Sequence, residues 1–339
     1  MERIFYPKTQ ILFDASFSKL ESYLEHPDCE SLCLLVDKKI YNYYKNYFTA
    51  YENIIIVDSI ENSKSLDYIS FLIEKLLKFG ANKKTHLIGI GGGVICDITG
   101  FVASIFMRGI RFSFVPTTIL CITDACLGGK NGVNFNNIKN IVGTINEPDS
   151  IIIDFSFLES LSIEEINNGF AEIIKHACVA SPKLFSNLEN LVVDYKSIKF
   201  MHEILKKSIS IKLKIVLKDL KDLSYRRILN FGHTYGHAIE AEYKLYHGHS
   251  VALGIIFACN VSKKLGYISL DKIKRVEKLL IKFNLPTDIS KIDLKKLLPF
   301  INKDKKVGNN KIDFIVLEDI GKGKILNIEI DKIMYEKRN

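Results

Sequence analysis

Four of the eight histidines in this 339-residue chain fall within seventeen positions, at His233, His237, His247 and His249. His233 and His237, four apart, would stand on one face of a helix and could aim their imidazoles into one pocket. Glu172, in Ala171-Glu-Ile-Ile-Lys175-His176, lies in an earlier helical stretch and offers a carboxylate. Two imidazoles and a carboxylate with positions left open form a catalytic set that zinc accepts. A single histidine is more often a core or surface residue; the density here is what points to a metal. The zinc-protease helix is excluded, because Thr234 stands where that motif needs Glu.

A second constellation is Gly89-Ile-Gly91-Gly92-Gly93-Val-Ile-Cys-Asp97. Glycines let backbone amides approach a pyrophosphate, and a helix opening there adds unpaired N–H groups and a positive dipole end. The same string also suits a plain strand-to-helix turn, and Val94 occupies the third glycine position of the usual dinucleotide fingerprint. Pro116-Thr117-Thr118 adds hydroxyls where the next strand would end. A third set is cationic: Arg108, Lys130 within Gly128-Gly129-Lys130-Asn131-Gly132, Lys139, Lys175, Lys212, Arg226 and the Lys303–Lys306 cluster. Each alone reads as a solvated surface charge. Together they could hold a small polyanion. On a continuous helix, Arg226 and Asn230 would share a face with His233 and His237.

These residues need elements to carry them. Leu32–Asp37, Asn53–Asp58 and His86–Gly91 are short, continuous aliphatic runs of the kind buried on both faces of a parallel sheet. Leu66–Phe79 has helical spacing with Gly80 as its stop; Phe112–Pro116 and Ile151–Asp154 extend the strand set. Strands alternating with helices imply a mostly parallel α/β sheet. Beyond about residue 158 the pattern turns helical, over Ile163–Ala180, Ile198–Lys218, Arg226–Tyr243, His247–Leu265 and Leu270–Asn284. Strand-like alternation returns in Ile312–Leu317 and Ile325–Ile330. The expected organisation is an α/β domain over 1–157 and a mostly α-helical domain over 158–339, with the boundary near 155–160.

Composition narrows the function classes. The +8 net charge comes from scattered lysines, with no dense basic block and little aromatic interleaving, which argues against nucleic acid. No apolar stretch approaches the roughly 18 residues of a membrane span, and the residues before Pro7 lack the apolar run of a secretory signal. Seven cysteines without a CxxC pair speak against a disulfide framework and for a reducing cytoplasm.

From about Asp37 to about Gly323 the chain resembles the 3-dehydroquinate synthase family of sugar phosphate cyclases. The resemblance is carried by Gly91–Asp97, Met107–Phe112, Val115–Thr118, Leu127–Lys130, Lys139-Asn140, Ala171–Lys175 and Leu229-Asn-Phe-Gly-His233-Thr-Tyr-Gly-His237-Ala-Ile-Glu240. It implies a dinucleotide-binding amino-terminal domain, a metal- and substrate-binding carboxy-terminal domain, NAD, zinc or cobalt, a phosphorylated sugar-acid substrate and a cytoplasmic homodimer. It places the metal on Glu172, His233 and His247, leaving His237 to the substrate. Implied NAD contacts are Asp37, Glu61, Lys64, Gly92, Gly93, Asp97, Thr117, Thr118, Lys139 and Ser160. Implied substrate and catalytic residues are Asp124, Lys130, Lys175, Lys212, Arg226, Asn230 and His237, with Arg108 and one of Lys305 and Lys306 on phosphate.

The chain departs from the family pattern at Cys96 and Ile138 (commonly glycine), Asn131 and Ser160 (commonly threonine), and Asn146-Glu147 before Pro148 (commonly aromatic-Gln). His249 stands where glutamate is usual and is a possible competing ligand. The implied reaction turns 3-deoxy-D-arabino-heptulosonate 7-phosphate into 3-dehydroquinate and phosphate, with NAD regenerated. Rival readings are another sugar phosphate cyclase, or a metal-dependent polyol or glycerol-phosphate dehydrogenase that consumes NAD. Glu240, three residues beyond His237, reads as a surface residue or as one that orients a histidine.

Overall fold

A computed structural model of the chain describes residues 2–136, 138–194, 199–301 and 311–334. It divides into two compact units, 1–162 and 163–339. The first contains β1 (Glu2–Tyr6), β2 (Thr9–Phe13), α1 (Leu20–Leu24), β3 (Ser31–Asp37), α2 (Lys38–Tyr43), β4 (Ile54–Val57), α3 (Leu66–Lys78), β5 (Thr85–Gly91), α4 (Gly93–Ile105), β6 (Arg111–Pro116), β7 (Lys130–Phe135), β8 (Ile138–Ile145) and β9 (Ser150–Ile153).

Its main sheet runs β1-β2-β9-β6-β5-β3-β4, parallel throughout except for the β1–β2 hairpin. Leu34, Val36, Ile88, Ile90, Val115 and Ile152 meet Leu12, Phe17 and Phe157 in one core. Every residue of β5 is buried, which is why these strands carry continuous aliphatic runs and no alternation. Strand order reverses at β3 and β5: β4 lies beyond β3, while β6 and β9 lie beyond β5. Ligand crevices in open α/β sheets form at such reversals, outside the carboxyl ends of the strands. Asp37 ends β3 and Gly91 ends β5.

The second unit contains α5 (Ile163–Ala180), α6 (Pro182–Asn190), α7 (Lys199–Lys218), α8 (His233–Tyr243), α9 (His247–Lys264), α10 (Leu270–Lys282), α11 (Leu294–Ile301), β10 (Lys311–Asp319), β11 (Lys322–Glu329) and α12 (Ile330–Ile333). The helix expected over Arg226–Tyr243 is broken. Tyr225–Asn230 forms a tighter 3-10 turn, and Gly232 adopts a left-handed φ of 79° before α8 starts. A Cβ at Gly232 would lie 2.9 Å from the Ile255 nitrogen, so α9 packs directly on this turn and a side chain there would collide with it. Arg226 and Asn230 therefore do not share a helix face with His233 and His237. Among the described residues no helix is long and apolar enough to cross a membrane.

Candidate active site

In the first unit the glycine run closes the strand-to-helix turn at the order reversal. Gly92 caps α4 without any side-chain hydrogen bond, so the first-turn amides have no side-chain cap. A Cβ at Gly91 would collide with Ile95 at 2.5 Å and approach the Asp37 Cβ to 3.1 Å. Thr117 is buried, and its amide donates to the Gly91 carbonyl at 3.0 Å, which sets the ends of β5 and β6 side by side. The Asp37 carboxylate accepts from the Lys39 and Ile40 amides at 2.6 and 3.2 Å and from Ser59 Oγ. A backbone cradle at a helix N-terminus, flanked by carboxylate and hydroxyl groups, fits a dinucleotide.

Lys64, only 4% exposed, donates to Asp97 Oδ2 at 2.5 Å and to Asn140 Oδ1. Burial pushes the Asp97 carboxyl up to about 6 against the opposing pull of Lys64. A register shift between Val133 and Phe135 takes Asn134 out of the β7–β8 ladder. Its amide donates to the Lys64 carbonyl at 2.8 Å, its Nδ2 to Glu61 Oε1 at 2.8 Å, and its Oδ1 accepts from the Asn140 amide at 2.9 Å. Glu61, Lys64 and Asp97 are thus brought together through Asn134 and Asn140, neither of which spacing singles out.

Asp124 lies in the turn after β6, Lys130 opens β7 and Lys139 lies exposed in β8. Arg108 is exposed in a left-handed turn, with φ of 48°, 62° and 107° at Met107, Arg108 and Gly109, that Lys83 holds by the Met107 and Gly109 carbonyls. Ser160 donates to the Phe157 carbonyl at 2.8 Å, and Thr118 Oγ1 accepts from the Cys121 amide at 3.1 Å. Two departures from the family pattern have structural uses. Asn131 Nδ2 ties the Gly129 and Asn146 carbonyls at 2.9 and 2.8 Å, and Cys96 packs its sulfur 3.3 Å from that of Cys121.

In the second unit three helices deliver a tight cluster. Glu172 comes from α5, and His233 and His247 each open a helix, α8 and α9. Close helix contacts place them. Asn168, one turn before Glu172, accepts from the Gly248 amide, and a Cβ on Gly248 would strike the Asn168 carbonyl at 2.2 Å. A Cβ on Gly254 would strike the Gly232 carbonyl at 2.0 Å. One donor atom from each of Glu172, His233 and His247 lies within 4.8 Å of the others. The Nε2 atoms of His233 and His247 stand 3.5 and 3.3 Å from the same oxygen, Glu172 Oε1.

Glu172 is wholly buried, and Oε2 contacts the Lys175 ammonium. Burial alone would push its carboxyl up; Lys175 and the two imidazoles outweigh that and hold it well below the usual range. Burial and Lys175 push the His233 imidazole well down. For His247, burial is outweighed by Glu172 and Glu240, and the pKa is pushed up. Two nitrogen donors facing one carboxylate oxygen in a buried pocket fit a divalent cation.

His237 stays outside this trio, with its ring 4.8 Å from that of His233 and 6.2 Å from that of His247. The trio named by the resemblance is what converges, and the pair chosen on spacing alone, His233 with His237, supplies only one member. His249 packs its ring against Tyr246 at 5.7 Å and is not in the converging group. Lys212 is buried on α7. Arg226 is buried too, donating through Nη1 to the Leu220 carbonyl at 3.2 Å. Arg227, paired with Asp313, lines a concavity of about 310 Å³ with Asn230, His233 and His237. Lys303, Lys305 and Lys306 lie outside the described residues. A larger concavity of about 850 Å³ in the first unit, lined by Glu21, Glu25, Glu30 and Glu52, contains none of the candidate residues.

Residues 54–168 match the family model described as 3-dehydroquinate synthase N-terminal, and residues 169–307 the one described as 3-dehydroquinate synthase C-terminal. The chain belongs to the 3-dehydroquinate synthase family. A 3-dehydroquinate synthase of Thermoanaerobacter pseudethanolicus is 36% identical, covering 94% of this chain and 93% of that relative. One from Dictyoglomus thermophilum is 39% identical over 86% of this chain and 83% of its own. The fold matches that of a 2-deoxy-scyllo-inosose synthase solved with carbaglucose-6-phosphate, NAD+ and Co2+, at a TM-score of 0.84 and 22% identity over 98% and 97% of the two chains. A 2-epi-5-epi-valiolone synthase from Streptomyces hygroscopicus, solved with NAD+ and Zn2+, aligns at 0.85 and 22% over 98% and 96%. A probable glycerol dehydrogenase from Sinorhizobium meliloti aligns at 0.61 and 15%, over 89% of this chain and 90% of its own. The dehydrogenase plan is shared only at the level of fold.

Proposed function

We propose that this chain is a phosphate-eliminating cyclase that converts 3-deoxy-D-arabino-heptulosonate 7-phosphate into 3-dehydroquinate and phosphate. NAD and a divalent metal, zinc or cobalt, are its cofactors. The observation that carries the reading is the convergence of Glu172, His233 and His247, in a chain that matches the family through both of its halves. The resemblance further supports a cytoplasmic homodimer serving the shikimate route to aromatic amino acids.

NAD, when bound, supplies a reversible hydride acceptor that leaves the cycle unchanged, and the metal supplies Lewis acidity toward a substrate hydroxyl. The chain's own residues do the rest. Glu172, His233 and His247 would hold the ion. The Lys175 ammonium balances the Glu172 charge, so a bound dication leaves the surroundings net positive and favours an anionic substrate. Arg226 with Asn230 would hold the substrate carboxylate, and Arg108 with Lys305 or Lys306 its phosphate. By the resemblance, Lys130 and His237 would hydrogen-bond substrate oxygens, and Asp124 and Lys212 would be further substrate contacts. The Gly92–Gly93 amides with Asp37, Glu61, Lys64, Asp97, Thr117, Thr118, Lys139 and Ser160 would hold the nucleotide.

The test is incubation of the full chain with the heptulosonate phosphate, NAD and Zn2+, followed for inorganic phosphate, a new carbocycle and absorbance at the NADH band. Phosphate and carbocycle in equal amounts with no net NADH are expected. Sedoheptulose 7-phosphate and glucose 6-phosphate run alongside should give neither product. Turnover of one of those sugars in place of the acid, or stoichiometric NADH, would overturn the assignment.

A further inference from the structure

We propose that Glu240 is a positioning residue for the metal: it fixes the ring of His247 so that Nε2, and not Nδ1, is offered to the ion. The inference rests on the metal reading of Glu172, His233 and His247 and goes beyond it, because Glu240 is not among the donors that converge there. It acts through its neighbour.

Glu240 lies in the second half of α8, and His247 opens α9. Glu240 Oε2 stands 3.0 Å from His247 Nδ1, and its side chain is 19% exposed. An ionised carboxylate only accepts, so the proton of a neutral His247 ring must sit on Nδ1, and the lone pair must sit on Nε2. Nε2 is the nitrogen that faces Glu172 Oε1 at 3.3 Å. Glu240, from α8, thus holds the Nδ1 end of the ring and sets its plane and tautomer together, leaving the Nε2 lone pair turned toward Glu172 of α5 and the ion the two would share.

The other imidazole of the trio shows what is special about this arrangement. His233 Nδ1 faces the Phe231 carbonyl at 3.3 Å, also a pure acceptor, so its Nε2 is likewise the free donor. That partner is a neutral backbone group two residues away, supplied by the turn itself. His247 has a charged, replaceable partner seven residues back. An anionic acceptor on Nδ1 raises the electron density at Nε2 more than an amide oxygen does, which strengthens the imidazole as a ligand. The two histidines are therefore unequal ligands, and the inequality is written into one side chain.

The experiment uses the purified full chain, stripped of metal and titrated with Co2+ alone, read by visible ligand-field absorption and by competition with Zn2+. Wild type should bind one ion. Glu240→Gln keeps size and an acceptor oxygen but loses the charge. It should bind Co2+ about 10-fold to 100-fold more weakly, with shifted absorption bands and an unchanged melting temperature of the metal-free protein. Glu240→Asp keeps the charge on a shorter arm and should fall between the two; it decides the matter if the glutamine variant does not fold. Affinities within twofold of wild type and superimposable spectra would overturn the positioning role. The underlying metal reading fails in a different way: wild type takes up no stoichiometric Co2+, or His247→Ala binds it as tightly as wild type, and the proposal falls with it.

Discussion

The two units solve the problem of holding charge in opposite ways. In the first, opposite charges and amides already satisfy one another: Lys64 lies between Asp97 and Asn140, and Asn134 joins that group to Glu61. In the second, two imidazole nitrogens are both turned toward a single carboxylate oxygen, so electron-pair donors face one another in a buried pocket. A frame whose polar groups are mutually paired keeps its shape whether or not a ligand arrives. A frame of converging donors, here with the Lys175 ammonium set against the carboxylate, is arranged to close on a cation. The first kind suits a nucleotide gripped largely by backbone, the second an ion gripped by side chains.

The largest expected effect breaks the second frame. Glu172→Ala removes a metal donor and strands the buried Lys175 ammonium, which costs about 3–5 kcal/mol when a buried ion pair loses one partner. His233→Ala should lose the metal as completely, and activity with it, while the fold stays intact. Urea unfolding beside elemental analysis of dialysed protein separates the two; equal stability of both variants would show that Lys175 does not depend on Glu172. Full metal content and full turnover in His233→Ala would remove His233 from the ligand set.

The next effect belongs to the first unit alone. His86 is buried in β5 with Nε2 2.9 Å from Ser113 Oγ, and burial pushes its pKa from 6.5 to about 4. Below pH 6.5 the unfolded chain takes up a proton that the folded chain refuses. Stability should therefore fall as the pH drops from about 6.5 to about 4, by roughly 3 kcal/mol, and then level off. Replacing His86 with Gln removes the titrating group, so denaturation at stepped pH should give a flatter profile over that window. A variant profile that parallels wild type would assign the acid sensitivity elsewhere.

The smallest effect tests whether the paired frame is a nucleotide frame. Asp97→Asn leaves Lys64 its Asn140 contact, and NAD binding measured by calorimetry should weaken about tenfold, or roughly 1.4 kcal/mol. Metal content should not change. Loss of metal together with NAD would mean that the two frames are not independent.

The same contrast explains what was legible in the sequence. The first unit is built from strand ends, and strand ends are local: His86–Gly91 and the glycines after it can be read as one string, and the sheet follows from the aliphatic runs. What escaped was the β7–β8 hairpin and its displaced Asn134, because a bulge leaves no periodic signature. The second unit joins residues 172, 233 and 247 from three helices, and no spacing rule connects them. Spacing chose His237, the helical neighbour of His233; the family resemblance supplied His247. The break before α8 is hidden because apolar periodicity continues through Gly232, whose left-handed turn packs directly on Ile255 of α9. Glu240 was ambiguous for the same reason, since its partner lies across a turn.

Both imidazoles of the trio are borne on the first residue of a helix. Helices loosen from their ends, and here both ends are held by close glycine contacts with neighbouring helices. A captured ion would act as a cross-brace, tying both openings to the middle of α5. Loading of the ion and tightening of the helical unit would then rise and fall together.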